Sequence, residues 1–258
     1  FLLSSLNAGG AERVAVTVCN YWADKGYEVT ILSTFYDSNS SFYNISDKIT
    51  VIYVSSLFKK SKFPIVNLIK KIGCIRKLVK ERTPDYVISF LTNVNVVTSV
   101  ALLLTRIPLI VCERINWSWH KAFSPLSVLR GFLYRFTDCV VVQTNADVRM
   151  VNKWYLGIRR FAVIPNPIPE EISGFDKSAS HETKKKRIIA MGRLVEQKNF
   201  GSLIRVFSKI HAKHPEWKLS IFGDGELRSE LQNSIDGLGL SNVATLEGKT
   251  STPWKEMS

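Results

Sequence analysis

The sequence predicts an α/β protein with two doubly wound, mostly parallel sheets, the second of them incomplete. Short apolar strands alternate with helix-length segments along most of the 258 residues. That alternation yields parallel sheets covered on both faces by helices. It breaks once, where Pro165, Pro167 and Pro169 fall within five residues and a polar stretch ending in His181–Arg187 follows. This reads as a domain linker. The alternation then resumes at Ile188 and runs through three strands before the sequence stops. The expected boundaries are therefore 1–165 for a first domain, 166–187 for the linker and 188–258 for a partial second domain.

Each element follows from its local pattern. Phe1–Ser5 is the remnant of a first strand. Ala11–Lys25 is a helix because Ala11, Val14, Ala15, Val18, Cys19 and Trp22 recur at 3.6-residue spacing, and Gly26 ends it as a left-handed cap. Strands are expected at Tyr27–Ser33, Val51–Val54, Tyr86–Leu91, Leu109–Cys112, Cys139–Gln143 and Phe161–Ile164, with helices between several of them. Val94–Leu104 is among the longest apolar stretches but contains Asn95, Thr98 and Ser99, so it reads as a buried helix rather than a membrane span. In the second, Rossmann-like unit a strand opens at Ile188. A helix at Phe200–Lys213, a strand at Lys218–Phe222, a helix at Glu226–Ile235 and a strand at Val243–Leu246 follow.

Composition narrows the class. Apolar residues make up 45% of the chain, enough to bury a full core and to exclude disorder. No secretory signal is present, so the Asn-x-Ser triplets at Asn39, Asn44 and Asn116 carry no meaning. Cys19, Cys74, Cys112 and Cys139 lie far apart inside apolar segments and read as buried hydrophobes in a reducing cytoplasm. Phe1 lies within an apolar run with no basic leader, and Ser258 lies in a polar stretch after a strand, so both ends read as cuts. The net charge of +13 calls for an anionic partner. No interleaved aromatic-basic motif points to nucleic acid. His211 and His214 lack the Cys or carboxylate partners of a zinc site, and no metal or cofactor is called for.

The charge excess is concentrated between Leu57 and Arg82, which hold nine basic residues and one acidic residue. Ile65, Leu68, Ile69, Ile72, Ile75 and Val79 form one apolar stripe there, with Lys70 and Lys77 well off it. Such a helix fits two roles: lying on anionic lipid, at about 1 kcal/mol per cation near the surface, or packing in the domain with a solvated basic face.

Three strand-to-helix turns carry candidate chemistry. In Asn7–Arg13, Gly9 and Gly10 let backbone come close to a ligand, and the helix start offers free N–H groups to a phosphate or a sugar hydroxyl. A plain tight turn is the other reading, and the spacing is not a dinucleotide fingerprint. In Met191–Phe200, Arg193 follows a strand and Lys198 precedes a helix that Asn199 can cap. Two cations at that edge suit a diphosphate, Arg holding two oxygens and Lys acting as a point charge; solvated surface charge is the alternative. In Phe222–Glu226, Asp224 reads as a helix cap.

Six stretches occur in order: G-G-A-E-R-V (Gly9–Val14), E-R-x-N (Glu113–Asn116), V-V-Q-T (Val141–Thr144), I-P-N-P-I (Ile164–Ile168), G-R-L-x-x-Q-K-N (Gly192–Asn199) and G-D-G-E-L (Gly223–Leu227). Together they resemble family-four glycosyltransferases, the retaining GT-B enzymes of bacterial surface polysaccharide synthesis. The resemblance implies transfer of a sugar from a nucleotide-sugar donor, UDP-linked by texture, to a glycan or lipid-linked acceptor. The first domain would be the acceptor side and the second the nucleotide-sugar side. It places Gly10, with Gly9, near donor phosphate and acceptor. Arg193 and Lys198 fall on the donor diphosphate, and Glu247 and Gly248 near the nucleobase. Many relatives carry a His where Glu113 and Arg114 stand here, so no catalytic acid or base is assigned. The family's late pair of glutamates is absent from the sequence, and the fragment alone is expected to be inactive. A cytoplasmic protein, peripheral on an anionic inner-membrane face, is implied. Trp117 and Trp119 fit either an acceptor wall or packing. Two other functions share parts of this pattern: a sugar-nucleotide 2-epimerase, which needs acidic and His residues in the cleft, and a non-catalytic basic membrane-binding module.

Overall fold

Apolar runs of four or five residues, too short for a packed helix, pair side by side as strands. The computed structural model describes residues 1–35, 41–114, 125–154, 157–167, 186–250 and 252–257. The chain divides into two units, Phe1–Pro167 and Ile168–Ser258. The first contains β1 (Leu2–Leu3), β2 (Thr30–Ser33), β3 (Thr50–Tyr53), β4 (Val87–Phe90), β5 (Leu109–Cys112), β6 (Cys139–Val142) and β7 (Phe161–Val163). These form one sheet in the order β3-β2-β1-β4-β5-β6-β7, every pairing parallel. The order reverses between β1 and β4. At such a switch point the connections leave in opposite directions and open a crevice outside the carboxyl ends of the strands.

The strand period of two sends alternate residues to opposite faces. Leu3, Ile31, Phe90, Cys112 and Val141 pack with Val14, Ala15, Cys19 and Ala23 of α1 (Gly10–Asp24). Leu2, Leu32, Val111 and Val140 face the other way. There they meet Ile75 and Val79 of α2 (Pro64–Arg82), Val94 and Val97 of α3 (Thr92–Leu102), Leu133 of α4 (Pro125–Leu133) and Val151 of α5 (Asn145–Trp154). Gly26 ends α1 as expected, at φ +86°: its N–H donates to Ala23 C=O and that of Tyr27 to Trp22 C=O, the paired bonds of a Schellman motif. The cysteines are free, and burial pushes the Cys19 and Cys112 thiols up to about 12. No helix among the described residues is long and apolar enough to cross a membrane.

The basic helix departs from the sequence reading in two ways. Its apolar stripe splits: Ile75 and Val79 enter the core, whereas Ile65, Leu68 and Ile69 near the start of α2 are exposed. Lys71 is no surface charge, being only 8% exposed. Its ammonium lies 3.4 Å from the centroid of the Phe35 ring, a position in which the ring quadrupole attracts the cation while the stem packs.

The second unit contains β8 (Arg187–Met191), α6 (Phe200–His211), β9 (Lys218–Phe222), α7 (Arg228–Gly237), β10 (Ala244–Gly248) and the short α8 (Pro253–Met257). Its sheet runs β10-β9-β8, again all parallel. Leu219, Ile221, Ala244 and Leu246 pack on Ile204 and Phe207 of α6 and Leu231 and Ile235 of α7. The segment expected as linker lies almost wholly outside the described residues, as do Asn39, Asn116, Trp117 and Trp119.

Candidate functional site

At the switch point of the first unit, β1 runs into the Gly9–Gly10 turn and α1. Gly9 is extended, and no side chain caps the helix. A Cβ on Gly9 would lie 2.1 Å from Glu12 Oε2, so the carboxylate of the helix's own first turn occupies that space. The Ser4 and Ser5 hydroxyls lie 3.4 Å from Glu12 Oε1. Around Gly10 nothing lies within 4 Å of a Cβ position, and the residue is exposed. Gly9 is gripped from a distance. The Tyr43 hydroxyl accepts from Gly9 N–H at 3.2 Å and donates to Gly9 C=O at 2.9 Å. Burial raises the Tyr43 phenol above its usual range, against the lowering effect of the bond to Gly9.

Glu113 and Arg114, at the end of β5, have separate jobs. Glu113 is only 2% exposed. It accepts from Thr92 Oγ1 at 2.8 Å and from the Tyr134 hydroxyl, and it pairs with Arg130 Nη1 at 3.8 Å. Burial first, and then the Glu113 charge, hold the Tyr134 phenol well above its usual range, so it stays a donor. The carboxylate is thus enclosed by its own partners at the end of the strand. Arg114 lies 4.4 Å over the Phe90 ring and donates to Ile164 C=O at 3.3 Å and Asn166 Oδ1 at 2.9 Å. It fastens the segment after β7 to the carboxyl edge of the sheet.

In the second unit the pairing of β8 with β9 continues beyond the strands. Gly192 N–H donates to Phe222 C=O, Leu194 N–H to Asp224 C=O and Leu227 N–H to Leu194 C=O, at 2.9, 3.0 and 3.0 Å. A Cβ on Gly223, at φ +143°, would lie 1.8 Å from the Gly192 carbonyl oxygen, and one on Gly225 2.5 Å from that of Leu194. The two glycines of G-D-G thus allow backbone to lie on backbone, and that contact fixes the loop bearing Arg193. Leu194 is buried beneath it, while Arg193 and Lys198 are exposed. The Lys198 stem crosses Gly192, whose Cβ position lies 3.5 Å from Lys198 Cδ and Cε. Among the described residues neither cation makes a hydrogen bond or ion pair.

Two caps expected from the sequence are not made. Asn199 adopts a left-handed conformation at φ 52°, and its side chain makes no cap bond to the first amides of α6. Asp224 Oδ1 accepts from Gly225 N–H at 3.0 Å, and α7 starts only at Arg228 because the preceding loop is held against Leu194. Glu247 accepts from Thr245 Oγ1 at 2.7 Å and lies 3.7 Å from Arg187. The Thr245 bond first, and Arg187 with it, hold its carboxyl below the usual range. Gly248, at φ +85° with open space about it, accepts from Gly223 N–H at 2.7 Å and joins the loops after β9 and β10.

Tyr43, Glu12, Arg130 and Tyr134 were not singled out from the sequence. Tyr43 is 34 residues from Gly9, and Tyr134 is 21 from Glu113, so no local pattern links them. The carboxylate three residues beyond Gly9, at the third helical position of α1, was the one local signal present.

Comparison with known proteins bears on this geometry. The sequence model described as Glycosyltransferase Family 4 matches residues 8–172, and that of Glycosyl transferases group 1 matches residues 173–257. A Campylobacter jejuni protein named GalNAc-alpha-(1->4)-GalNAc-alpha-(1->3)-diNAcBac-PP-undecaprenol alpha-1,4-N-acetyl-D-galactosaminyltransferase is 30% identical over 93% of this chain and 65% of its own length. The amylovoran biosynthesis glycosyltransferase AmsD of Erwinia amylovora is 28% identical over the same shares. The chain thus spans somewhat under two thirds of the length of these curated relatives. Among solved structures, WaaG, a glycosyltransferase involved in lipopolysaccharide biosynthesis, covers all of this chain and 71% of its own with a TM-score of 0.72 at 14% identity. The galactosyltransferase WaaB covers 98% and 68% with a TM-score of 0.68 at 16% identity. At those identities the likeness shows a shared fold.

Proposed function

The chain belongs to glycosyltransferase family 4, and on that premise we propose that it transfers a sugar from a UDP-linked donor to a glycan or lipid-linked acceptor during surface polysaccharide synthesis, with retention at the anomeric carbon. The observation that carries this reading is the exposed pair Arg193 and Lys198 at the uncapped start of α6. Transfer breaks the anomeric carbon–oxygen bond while negative charge builds on the departing diphosphate. Cations and helix amides fixed beforehand stabilise that charge most where water is excluded. Gly9 and Gly10 supply the corresponding turn on the acceptor side, where backbone N–H groups meet a phosphate oxygen or a sugar hydroxyl. Gly248 lies by the nucleobase. Glu247 belongs to the same loop, but its carboxylate already serves Thr245 and Arg187, so its part there is indirect.

One named relative supports a lipid-linked acceptor, the Campylobacter protein, which carries undecaprenol in its name. The start of α2 fits the surface in which such an acceptor sits. Phe63, Ile65 and Ile69 are 69%, 73% and 63% exposed, and Lys59, Lys60, Lys62 and Lys70 are exposed around them. Apolar side chains with flanking ammonium groups suit the headgroup region of an anionic membrane, which supports a peripheral place on the cytoplasmic face.

The test is a transfer assay with the full-length protein, UDP-sugars carrying a labelled sugar, and a polyprenyl diphosphate-linked acceptor. Label should move into the lipid fraction with the donor's anomeric configuration. An altered sugar left on UDP, with no transfer, would instead indicate an epimerase. Vesicle binding with no turnover of any donor would indicate a binding module.

A further inference from the structure

We propose that Tyr43 is a positioning residue for the reaction: its hydroxyl sets the Gly9–Gly10 turn at the start of α1 from outside the helix. The inference rests on the family reading above for the reaction, and on geometry for the role. A helix start is ordinarily fixed by an N-cap side chain that accepts from the second or third amide. In this chain the N-cap is Gly9, and the Glu12 carboxylate fills the space a side chain there would take. The turn is held from outside instead. One oxygen of Tyr43 accepts from Gly9 N–H at 3.2 Å and donates to Gly9 C=O at 2.9 Å. That carbonyl also accepts the first helical bond, from Arg13 N–H at 3.0 Å, so the Tyr43 bond fixes the plane from which α1 starts. Neither bond engages Gly10 N–H or Ala11 N–H.

The hydroxyl is itself placed with care. Phe42 N–H donates to Leu6 C=O at 2.9 Å. Asn20 Nδ2 donates to Asn44 C=O at 2.9 Å, and Ser46 N–H donates to Asn20 Oδ1 at 3.0 Å. These bonds anchor Tyr43 on both sides of its own position. Its ring packs on the core under α1 and meets the Phe42 ring edge-on at 5.1 Å. Glu12 and Arg13 both lie close enough to act on the phenol. A surface tyrosine held only by packing needs none of this.

Tyr43→Phe removes one oxygen and nothing else. In the full-length protein the Gly9 amide should exchange with deuterium roughly 5-fold faster or more, while amides from Val14 to Cys19 exchange as before. The kcat for transfer should fall about 3- to 10-fold, with KM for the nucleotide-sugar within about 2-fold. Unchanged exchange at Gly9 would show that the bond is not made. Faster exchange with unchanged kcat would show that the turn has no part in the chemistry. Loss of melting temperature and of active fraction together, with kcat per folded molecule unchanged, would reduce Tyr43 to a structural residue. If Tyr43→Phe folds poorly, 3,5-difluorotyrosine at position 43 keeps ring and oxygen but lowers the phenol's pKa. Then kcat should fall at alkaline pH, where the phenolate no longer donates to Gly9 C=O, and the wild-type profile should stay flat there. A flat profile in both would overturn the proposal. If the wild type transfers no sugar, the proposed transfer reaction fails, and the exchange result alone decides whether Tyr43 sets the turn.

Discussion

Glycine 10 and glutamate 113 show how single residues at a sheet edge divide between substrate and structure. Gly10 stands in a helix with open space where a Cβ would go, and alanine is favoured over glycine in helices by up to about 1 kcal/mol. Gly10→Ala should therefore leave the melting temperature unchanged or raised. If a ligand approaches that turn, kcat/KM should nevertheless fall about 10-fold or more, as a methyl group in a contact surface displaces the ligand. Equal activity in the folded variant would remove Gly10 from the site. Glu113 should behave in the opposite way. Taking its charge away leaves Arg130, also 2% exposed, without its buried carboxylate, and breaking such a pair costs roughly 3–5 kcal/mol. Glu113→Gln should lower the urea midpoint strongly, and kcat per folded molecule should change little. A stable but inactive Glu113→Gln protein would instead make the carboxylate catalytic. The contrast was only half readable in the sequence. Two adjacent glycines between a strand and a helix mark a close approach, whereas Tyr134 and Arg130 meet Glu113 only because α3, α4 and β5 converge on it.

At the level of elements, apolar patterning located every strand among the described residues and the three glycine-bearing strand-to-helix turns, because apolar residues on a covered sheet leave few alternatives. Charge was the weaker guide. Lys71 and Lys77 look alike in sequence, but one is buried over Phe35 while the other is exposed and pairs with Glu81 at 3.8 Å. A cation with a long apolar stem fits either place, and its neighbours decide which. For the same reason membrane binding by α2 is better probed without Lys71. Replacing Lys59, Lys60, Lys62 and Lys70 by Glu should weaken binding to anionic vesicles, more at low salt than at high salt. Ile65→Ser with Ile69→Ser should weaken it at both, because burial of apolar side chains is not screened. Activity on a short soluble acceptor should persist in both variants. Vesicle binding that survives both sets of changes would leave α2 a solvated domain helix.

Across the whole molecule, two parallel sheets each bring strand-to-helix turns to a carboxyl edge. The part most readable from sequence was the cation pair of the second unit, since Arg193 and Lys198 bracket a single turn. The part least readable was what holds that turn: the backbone contacts of Gly223 and Gly225, made to a loop some thirty residues away in the chain. The central claim is that this turn binds the donor diphosphate and stabilises it as it leaves. Losing one charge-assisted hydrogen bond in the transition state is worth roughly 1.5–3 kcal/mol, or about 10- to 150-fold in rate. The most direct measurement is kcat/KM for sugar transfer by full-length Arg193→Ala and Arg193→Lys proteins of unchanged melting temperature. Arg193→Ala should lose about 10- to 150-fold, and Arg193→Lys less, because lysine keeps the charge and gives up the two-oxygen grip. Wild-type kcat/KM in a folded Arg193→Ala enzyme would contradict the assignment of the diphosphate site.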